Sequence, residues 1–244
     1  MRVLVTRPQR DAQTTAAQLF ALGHEAIIAP VMRIVAVNAA PASDSHVSDS
    51  HVKNFCSGVI VTSAHALELL PDVFIKDLRA RPLHVVGART AQIAGALGFN
   101  DVRSASRDAS ELAKIILASA APRSHFLYLA GRDRQSRLER ALSNADHVVE
   151  TIVVYEAQAE SALTATAIDA LRAKSIDAVL HFSPRSAALL VELAMQAGVA
   201  PELNRIAHIC ISAAAAKPLA GCATTIRIAA SPDAAGLFSA LKTV

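Results

Sequence analysis

Short runs of valine, isoleucine and leucine alternate along the sequence with alanine-rich segments whose apolar residues recur at helical spacing. The predicted strands cover residues 3–6, 26–29, 59–62, 83–86, 126–129, 152–155, 178–182 and 206–211. The predicted helices cover residues 11–22, 63–70, 91–97, 134–142, 184–197 and 213–220, and four of them stop at Gly23, Gly98, Gly198 and Gly221. Strands that alternate with helices build mostly parallel sheets. The full pattern holds roughly nine or ten strands, which is more than one small sheet usually contains.

An internal repeat indicates how these elements are divided. Sliding the chain against itself by about 120 residues brings residues 59–70 over residues 179–190, so Ser63 and Ser183 occupy the same strand-to-helix corner. Three further pairs also match: Arg10-Asp11 with Arg132-Asp133, Val86-Gly87 with Ile211-Ser212, and Ala105-Ser106 with Ala230-Ser231. Unrelated βα units in an alanine-rich chain would share some of these features, but four ordered matches favour duplication. We therefore predict two similar α/β domains, and a cleft between similar domains is the usual place for a ligand.

The charge of the chain points to a small anionic ligand. The net charge of +3 and the pI near 8.9 are mild, and lysine or arginine runs with interleaved aromatic residues are absent, so we expect no nucleic-acid partner. Four arginines come shortly after predicted strands: Arg7, Arg89, Arg132 and Arg185. The carboxyl ends of parallel strands face the ligand crevice of an open sheet. The pattern therefore predicts an anionic small molecule as the partner.

Membrane insertion and export are not predicted. The mean hydropathy of +0.35 reflects the alanine content. The longest apolar segment, residues 207–230, is interrupted by Lys217, Pro218 and Arg227 where a span needs about 20 apolar residues. The first apolar run ends at Thr6, short of the roughly 7–15 apolar residues of a signal peptide. We expect a cytoplasmic monomer that binds no membrane.

Metal and cofactor motifs are missing from the sequence. Gly-x-Gly-x-x-Gly, the Walker glycine-lysine loop and the Gly-x-Ser-x-Gly elbow do not occur. The polar loop 38–54 carries His46 and His51 in a tandem Asp-Ser-His-Val repeat; they are possible metal ligands, but no acid or cysteine cluster completes a site. We expect no metal and no cofactor. Three cysteines without Cys-x-x-Cys spacing are expected to be reduced: Cys56, Cys210 and Cys222. Three histidines on predicted strands are expected in the core: His84, His181 and His208.

Small or hydroxyl residues recur where a predicted strand opens into a helix. They are Thr6, Thr62, Ser63, Gly87, Ser183 and Ser212. Each corner offers free backbone N–H groups and the positive end of a helix dipole, which together bind carboxylate or phosphate. The alternative is that each hydroxyl is only a helix N-cap. If the corners converge on one cleft, they form an anion-binding site.

Two tyrosines differ in their surroundings. Tyr155 lies in Ile152-Val-Val-Tyr-Glu156, where a partly dry phenol can donate a proton to a leaving group. The alternative for Tyr155 is a half-buried strand tyrosine without chemistry. Tyr128, inside a run of apolar residues, is expected in the interior of its strand.

The ordered set of short motifs resembles the uroporphyrinogen-III synthase family. The motifs are Val3-Leu-Val-Thr-Arg-Pro8, Leu22-Gly-His24 followed by a strand and Pro30, Val61-Thr-Ser-Ala64, Val86-Gly87 with Thr90-Ala91, Leu129-Ala-Gly-Arg132, Val154-Tyr155, Phe182-Ser-Pro-Arg185 and Ser212-x-x-Ala215. They run over nearly the whole chain. The chain departs from the family's pattern at the 38–54 insertion and at Ser212-Ala213-Ala214, where hydroxyl residues often continue.

The resemblance implies two α/β domains with parallel sheets, joined by a two-stranded β connection, with the active site in the cleft between them. One domain is then discontinuous and consists of residues 1–34 and 156–244, and the other covers residues 38–152. The connecting strands lie near residues 32–37 and 152–157. This interleaved layout replaces a simple cut at the middle of the repeat.

The resemblance also implies an activity: a cyclising lyase that converts the linear tetrapyrrole hydroxymethylbilane into uroporphyrinogen III, with loss of water and inversion of ring D. The substrate carries eight carboxylates. Tyr155 matches the family's interdomain tyrosine, which assists departure of the hydroxyl, while Thr62, Ser63, Ser183 and Ser212 match cleft-facing corners. Thr6, Gly87, Arg7, Arg132 and Arg185 are added as substrate-binding residues from the corner and charge arguments.

Two other functions stay open from the sequence. A two-lobed binding protein for an anionic small molecule would use the same cleft without chemistry. A paralogue that binds a tetrapyrrole but has lost activity is the other alternative.

Overall fold

The computed structural model describes residues 1–37 and 56–242. The predicted 38–54 loop, with His46 and His51, lies outside the described residues. The chain divides into two compact units: Met1–Arg33 with Gln158–Val244, and Ile34–Ala157.

Eleven strands and eleven α-helices lie within the described residues. The strands are β1 Arg2–Val5, β2 Glu25–Ile28, β3 Met32–Ala36, β4 Gly58–Val61, β5 Leu83–Val86, β6 Val102–Ala105, β7 His125–Gly131, β8 Val148–Ala159, β9 Ala178–His181, β10 Ala207–Cys210 and β11 Thr225–Ile228. The helices are α1 Gln9–Ala21, α2 Ala64–Glu68, α3 Asp72–Leu78, α4 Ala88–Ala96, α5 Ala109–Ser119, α6 Arg137–Ser143, α7 Ala165–Arg172, α8 Pro184–Gln196, α9 Ala200–Leu203, α10 Ala213–Ala216 and α11 Ala234–Leu241. A short 3₁₀ helix covers Lys217–Leu219.

The first unit is built on a five-stranded sheet in the order β11-β10-β9-β1-β2. All four strand pairs are parallel. Its strand β1 is apolar, and Val3, Leu4 and Val5 have no exposed surface. A run of consecutive buried residues is typical of parallel strands covered by helices on both faces. The apolar strands of the sequence therefore form the core of this unit.

The second unit is built on a six-stranded sheet in the order β3-β8-β7-β4-β5-β6. Strands β4 to β8 pair in parallel. The outer strand β3 runs antiparallel to β8, because Val37 N–H donates to the Val154 carbonyl while Glu160 N–H donates to that of Val31. The boundary between the two units falls within β3 and β8. The predicted fold class, two α/β units with mostly parallel sheets and a pair of connecting strands, is confirmed.

Alternation along β4 separates two cores on the two faces of the second sheet. Val59 and Val61 pack in one cluster with the residues of α2, α3 and α4, whereas Ile60 packs in the other with residues of α5 and α6. Successive side chains of a strand point to opposite faces, so one apolar strand serves both clusters. The sheet is thereby packed on both of its faces.

The predicted helix ends agree with the structure. Gly23, Gly98, Gly198 and Gly221 all have positive φ, between 67° and 87°. The glycine at each of these positions ends the preceding helix in the left-handed conformation that L-residues with a Cβ avoid.

Several bounds differ from the predicted ones. β8 has 12 residues instead of the predicted four. Its first part pairs with β7 and its last part pairs with β3, so the strand extends beyond its apolar centre at both ends. α6 begins at Arg137, with Ser136 as its N-cap, and the Arg134 side chain before it contacts the Gly131 carbonyl and Glu139. The predicted 213–220 helix is a four-residue α-helix followed by a 3₁₀ turn, because Pro218 lacks the N–H that an α-helix needs. No helix within residues 1–37 and 56–242 has the length and apolar character that a membrane span requires.

Candidate functional site

Three neighbouring strands of the first sheet end at predicted site residues. Thr6 follows β1, Ser183 comes two residues after β9, and Ser212 comes two residues after β10. The order β10-β9-β1 and the register, in which Val5 pairs with Leu180 and Cys210 with His181, place all three strand ends at one edge. The parallel register thus gathers residues that are far apart in the sequence at the carboxyl edge of this sheet.

Ser183 occupies the N-cap position of the 13-residue helix α8. Its Oγ accepts from the backbone N–H of Ser186 at 3.0 Å and donates to Ser186 Oγ at 3.1 Å. Arg185 is exposed in the first turn of the same helix. The positive end of the α8 dipole and the exposed residue Arg185 therefore belong to the same helix turn at this corner. The arrangement suits an anion.

The other two corners of the first unit are less suited to binding an anion. Ser212 caps α10 by accepting from Ala215 N–H at 3.3 Å, but α10 is only four residues long and contributes little dipole. Thr6 is fully buried, and its hydroxyl donates to the Leu180 carbonyl at 3.4 Å, which ties β1 to β9. α1 begins after Pro8, two residues beyond Thr6. The Thr6 side chain therefore holds the edge together.

The Arg7 side chain contacts other residues of the first unit. Its guanidinium lies 3.3 Å from the Asp11 carboxylate and 3.3 Å from Thr15 Oγ1, and it stacks 4.2 Å above the centre of the Phe182 ring. These contacts join the first turns of α1 to the end of β9. Asp11 offsets the positive charge that the arginine brings to the edge.

Four neighbouring strands of the second sheet carry the remaining predicted residues. In the order β8-β7-β4-β5 they are Tyr155 on β8, Arg132 after β7, Thr62 and Ser63 after β4, and Gly87 after β5. All lie at the carboxyl edge of this sheet. The structure thus places every predicted site residue at the carboxyl edge of the sheet of its own unit.

Gly87 and Ser63 are N-cap residues. Gly87 precedes the nine-residue helix α4 with φ of 84°, a conformation that residues with a Cβ rarely adopt. Ser63 precedes the five-residue helix α2. Thr62 Oγ1 lies 2.8 Å from the Tyr128 hydroxyl. Tyr128 is 3% exposed, so its predicted position inside the strand is confirmed, and burial raises the pKa of its phenol.

Arg132 leaves β7 beside Tyr155. Its backbone N–H donates to the Tyr155 carbonyl at 2.9 Å, and its guanidinium pairs with the Glu156 carboxylate. The side chain of Arg132 is 59% exposed. An anion can therefore reach the guanidinium from solvent.

A β-bulge sets the direction of Tyr155. Ala130 pairs with Val153, but the next residue, Gly131, pairs with Tyr155, so β8 gains one residue relative to β7. The bulge lets Val154 and Tyr155 pack against the same core cluster, although adjacent strand residues normally face opposite ways. Tyr155 is half-buried there. Its ring covers Gly131, where a Cβ would lie 2.8 Å from the phenol oxygen.

The structure adds a group that the sequence analysis missed, formed by His65, Glu68 and Arg89. The His65 ring meets Tyr155 edge-on, with centroids 5.8 Å apart and planes at 64°. His65 Nδ1 lies 3.3 Å from Glu68 Oε2, and Arg89 donates to Glu68 Oε1 at 3.3 Å. The i,i+3 spacing of His65 and Glu68 was the available signal. It carries no indication of Tyr155, which is 90 residues further along the chain by sequence number.

The three predicted core histidines are buried, as expected. His181 Nε2 lies 2.9 Å from His208 Nδ1, and the two rings are stacked. Burial, with the charge of His208, lowers the pKa of His181 to about 3, and burial also lowers the pKa of His208. Burial and then the Arg103 charge lower the pKa of His84 to about 4. All three are therefore neutral core residues at pH 7.

Metal-binding side chains do not cluster in the described part of the chain. Within residues 1–37 and 56–242, histidine, cysteine, aspartate and glutamate form no group of three that could hold an ion. The three cysteines are free thiols, as expected. Burial raises the pKa of Cys210 to about 11, so this thiol is unreactive at neutral pH.

The fold and the two sheet edges define an α/β protein with strand-to-helix corners at the carboxyl ends of parallel strands. Solved structures share this fold. The uroporphyrinogen-III synthetase of Helicobacter pylori 26695 is 17% identical, with a TM-score of 0.66 and coverage of 100% of this chain and 99% of that chain. A mutant uroporphyrinogen III synthase of the extremely thermophilic bacterium Thermus thermophilus is 15% identical, with a TM-score of 0.55 and coverage of 100% and 98%.

The family model described as uroporphyrinogen-III synthase HemD matches residues 13–239. The chain belongs to the uroporphyrinogen-III synthase family. This family consists of cyclising lyases of haem biosynthesis, so the protein is an enzyme of tetrapyrrole biosynthesis. No curated protein matches the sequence.

Proposed function

We propose that the protein closes hydroxymethylbilane into uroporphyrinogen III by means of the residues at its two sheet edges. The observation that carries the proposal is the family match over residues 13–239. The position of Tyr155 at a carboxyl edge, half-buried and next to exposed Arg132, supports it. A partly dry phenol at this edge suits proton donation to a leaving hydroxyl.

The eight carboxylates of this substrate need several positive groups. Arg185 at the first turn of α8 and Arg132 after β7 supply exposed guanidinium groups. The N-termini of α8 and α4, at Ser183 and Gly87, supply backbone N–H groups and dipole ends. Arg7 and Arg132 supply less net charge than Arg185, because Asp11 and Glu156 offset them. Each edge by itself thus offers several separate groups for substrate carboxylates.

Four hydroxyl residues complete the proposed binding set. Ser63, Thr62 and Ser212 would hydrogen-bond carboxylates or orient backbone N–H groups at their corners. Thr6, whose side chain is buried, would contribute through its backbone position. Positioning of this kind lowers the barrier by fixing the reacting ends of the chain near each other.

In the proposed reaction the bond from the terminal carbon to its hydroxyl oxygen breaks. The oxygen takes the electron pair and a proton from the Tyr155 phenol and leaves as water. The pyrrole nitrogen lone pair fills the deficit on carbon and gives a protonated, cationic azafulvene. Attack through a spiro intermediate, fragmentation and reclosure then invert ring D, and the proton released when the last ring regains aromaticity restores the phenol. The protein stabilises charge throughout.

Expression in a bacterial strain that lacks its own uroporphyrinogen-III synthase tests the proposal in cells. We expect haem-dependent growth to return, with Tyr155→Phe supporting slower growth at equal protein level. A protein that accumulates to the same level but does not restore growth would indicate a binding protein without activity.

Four further predictions belong to this proposal. We propose that the two domains comprise residues 1–34 with 156–244 and residues 38–152, and that the protein is a cytoplasmic monomer that binds no nucleic acid. The mild net charge of +3 supports the last point. Light scattering after size-exclusion chromatography measures the molar mass, which is 25.6 kDa for a monomer.

A further inference from the structure

His65 and Tyr155 come from different parts of the second unit and meet at its carboxyl edge. His65 lies in the first turn of α2, directly after the corner of β4, and Tyr155 lies on β8. The two rings meet edge-on at a centroid distance of 5.8 Å. Such edge-to-face pairs are attractive and favour one mutual orientation.

Tyr155 is therefore enclosed on two sides. On one side its ring lies on Gly131, where a Cβ would come within 2.6 Å of Cζ. On another side the His65 ring makes a T-shaped contact with it. The bulge between Ala130 and Gly131 brings the tyrosine to this position. The backbone fixes the first contact, whereas the second depends on where the His65 side chain is held.

Glu68 holds His65 from within the same helix. Its Oε2 lies 3.3 Å from His65 Nδ1, and its Oε1 accepts from Arg89 at 3.3 Å. A carboxylate beside Nδ1 keeps the proton on that nitrogen and fixes the plane of the ring. The carboxylate itself is fixed by the guanidinium from α4. The group thus forms a chain of contacts from α4 through α2 to Tyr155.

Packing alone does not account for this group. The His65 and Glu68 side chains are only 13% and 14% exposed. Shielding a carboxylate from water costs free energy that an apolar side chain of similar size would avoid. The contacts of Glu68 and Arg89 instead hold the His65 ring in one orientation next to the Tyr155 ring.

We propose that His65, oriented by Glu68, is a positioning residue that fixes the Tyr155 ring for proton donation to the departing hydroxyl. The inference rests on the proposed function. His65 acts through Tyr155 and needs no contact with the substrate. Misplacing a reacting group by about 1 Å costs up to roughly 100-fold in rate. We therefore expect loss of the His65 ring to affect the rate more than the stability of the fold.

Two substitutions at position 65 separate the ring contact from the rest of the side chain. His65→Ala removes the ring, and we expect kcat to fall about 10- to 100-fold with KM within about twofold of the original. His65→Phe keeps a flat ring against Tyr155 without the Glu68 contact, and we expect kcat within about threefold. His125→Asn is the matched control, because His125 is exposed at the opposite end of the sheet, at the start of β7.

A double-mutant cycle tests the role of Glu68. Glu68→Gln lowers kcat in the original background, since the ring plane of His65 is less firmly held. The same change has no further effect on kcat in the His65→Phe background, where there is no imidazole to orient. An equal loss in both backgrounds contradicts orientation of His65 by Glu68.

Ring mobility gives a readout that needs no activity. The chain has two tyrosines, so NMR of protein labelled with ring-¹³C tyrosine gives two sets of signals, and Tyr155→Phe identifies one of them. We expect relaxation to report a more mobile Tyr155 ring in His65→Ala and an unchanged ring in His65→Phe. If the original protein forms only uroporphyrinogen I, the proposed function fails, but this measurement still decides the contact. A Tyr155 ring of unchanged mobility, or an unchanged kcat, in folded His65→Ala overturns the inference.

Discussion

The ring of Tyr155 lies against the backbone of Gly131, so that a Cβ atom at position 131 would approach Cζ to 2.6 Å. The contact exists because the bulge after Ala130 brings Tyr155 opposite the last residue of β7. Tyr155 packs against the core cluster and lies opposite Gly131 at the carboxyl edge of the sheet. The glycine is therefore required by the tyrosine and not by its own backbone angles.

Gly131→Ala should displace the Tyr155 ring. We expect kcat to fall about 10- to 100-fold because the phenol no longer points at the leaving group. The free energy of unfolding should fall by about 1–3 kcal/mol from overpacking. Steady-state kinetics and urea unfolding measure the two effects. Gly95→Ala is the matched control, because a Cβ at position 95 would have nothing within 4 Å. In the helix α4 this substitution should stabilise the protein by about 1 kcal/mol and leave kcat unchanged.

Tyr155→Phe removes only the hydroxyl. We expect kcat to fall about 100-fold, the usual size of a general-acid contribution, while the melting temperature changes little. Tyr128→Phe serves as the comparison, because its buried hydroxyl pairs with Thr62. That variant should lose about 1 kcal/mol of stability with a much smaller change in kcat. Equal kcat values for Tyr155→Phe and the original protein would make Tyr155 a packing residue only.

Ser183→Asp separates the helix cap from anion binding. Asp108 and Asp233 already cap α5 and α11 through backbone N–H groups, so aspartate at 183 should keep the cap and the stability within about 1 kcal/mol. Its charge should repel a substrate carboxylate and raise KM about fivefold or more at low salt. Ser183→Ala should instead lose about 1 kcal/mol of stability with a smaller rise in KM. A KM that aspartate leaves unchanged would remove this corner from the binding site.

Substrate affinity should weaken with salt. Because exposed charges are screened beyond about 10 Å at 0.1 M ionic strength, KM should rise as salt is added. Arg132→Gln and Arg185→Gln should each flatten this dependence. Arg205→Gln should not, because Arg205 lies before β10, at the other end of the first sheet, and pairs with Glu202. A KM that is flat in ionic strength would argue against binding by arginine.

Acid should destabilise the first unit through His181 and His208. Their folded pKa values lie below the ordinary 6.5, so the unfolded chain binds more protons and stability falls as pH drops below about 6.5. The loss continues towards the folded pKa of His181, about 3. Between pH 7.5 and 5, His181 should cost about 2 kcal/mol of unfolding free energy, and the lowered pKa of His208 should add to the loss. His181→Gln should reduce this loss in urea titrations, and an unaltered pH slope would contradict the assignment.

The order of strands and helices can be predicted from the sequence, because the ends of each element depend on residues close to them in the chain. The helix ends at Gly23 and Gly198 and the cap at Ser183 are read from residue type and spacing. Parallel pairing then carries every strand-to-helix corner to one edge of its sheet without further information.

The finer geometry depends on partners distant in sequence. The bulge that turns Tyr155 arises from the pairing of β7 with β8, and no residue of β8 marks it in advance. His65 reaches Tyr155 only because β4 and β7 are neighbours beside β8. Arg7 is a partial exception, because its partners Asp11 and Thr15 follow at helical spacing.

The isomer composition of the product tests the central claim most directly. Hydroxymethylbilane generated enzymatically in the same reaction closes spontaneously to uroporphyrinogen I, so the oxidised porphyrins are separated with and without the protein. We predict that isomer III dominates in the presence of the protein and that its fraction rises with protein concentration. Isomer I alone at every protein concentration would contradict the account.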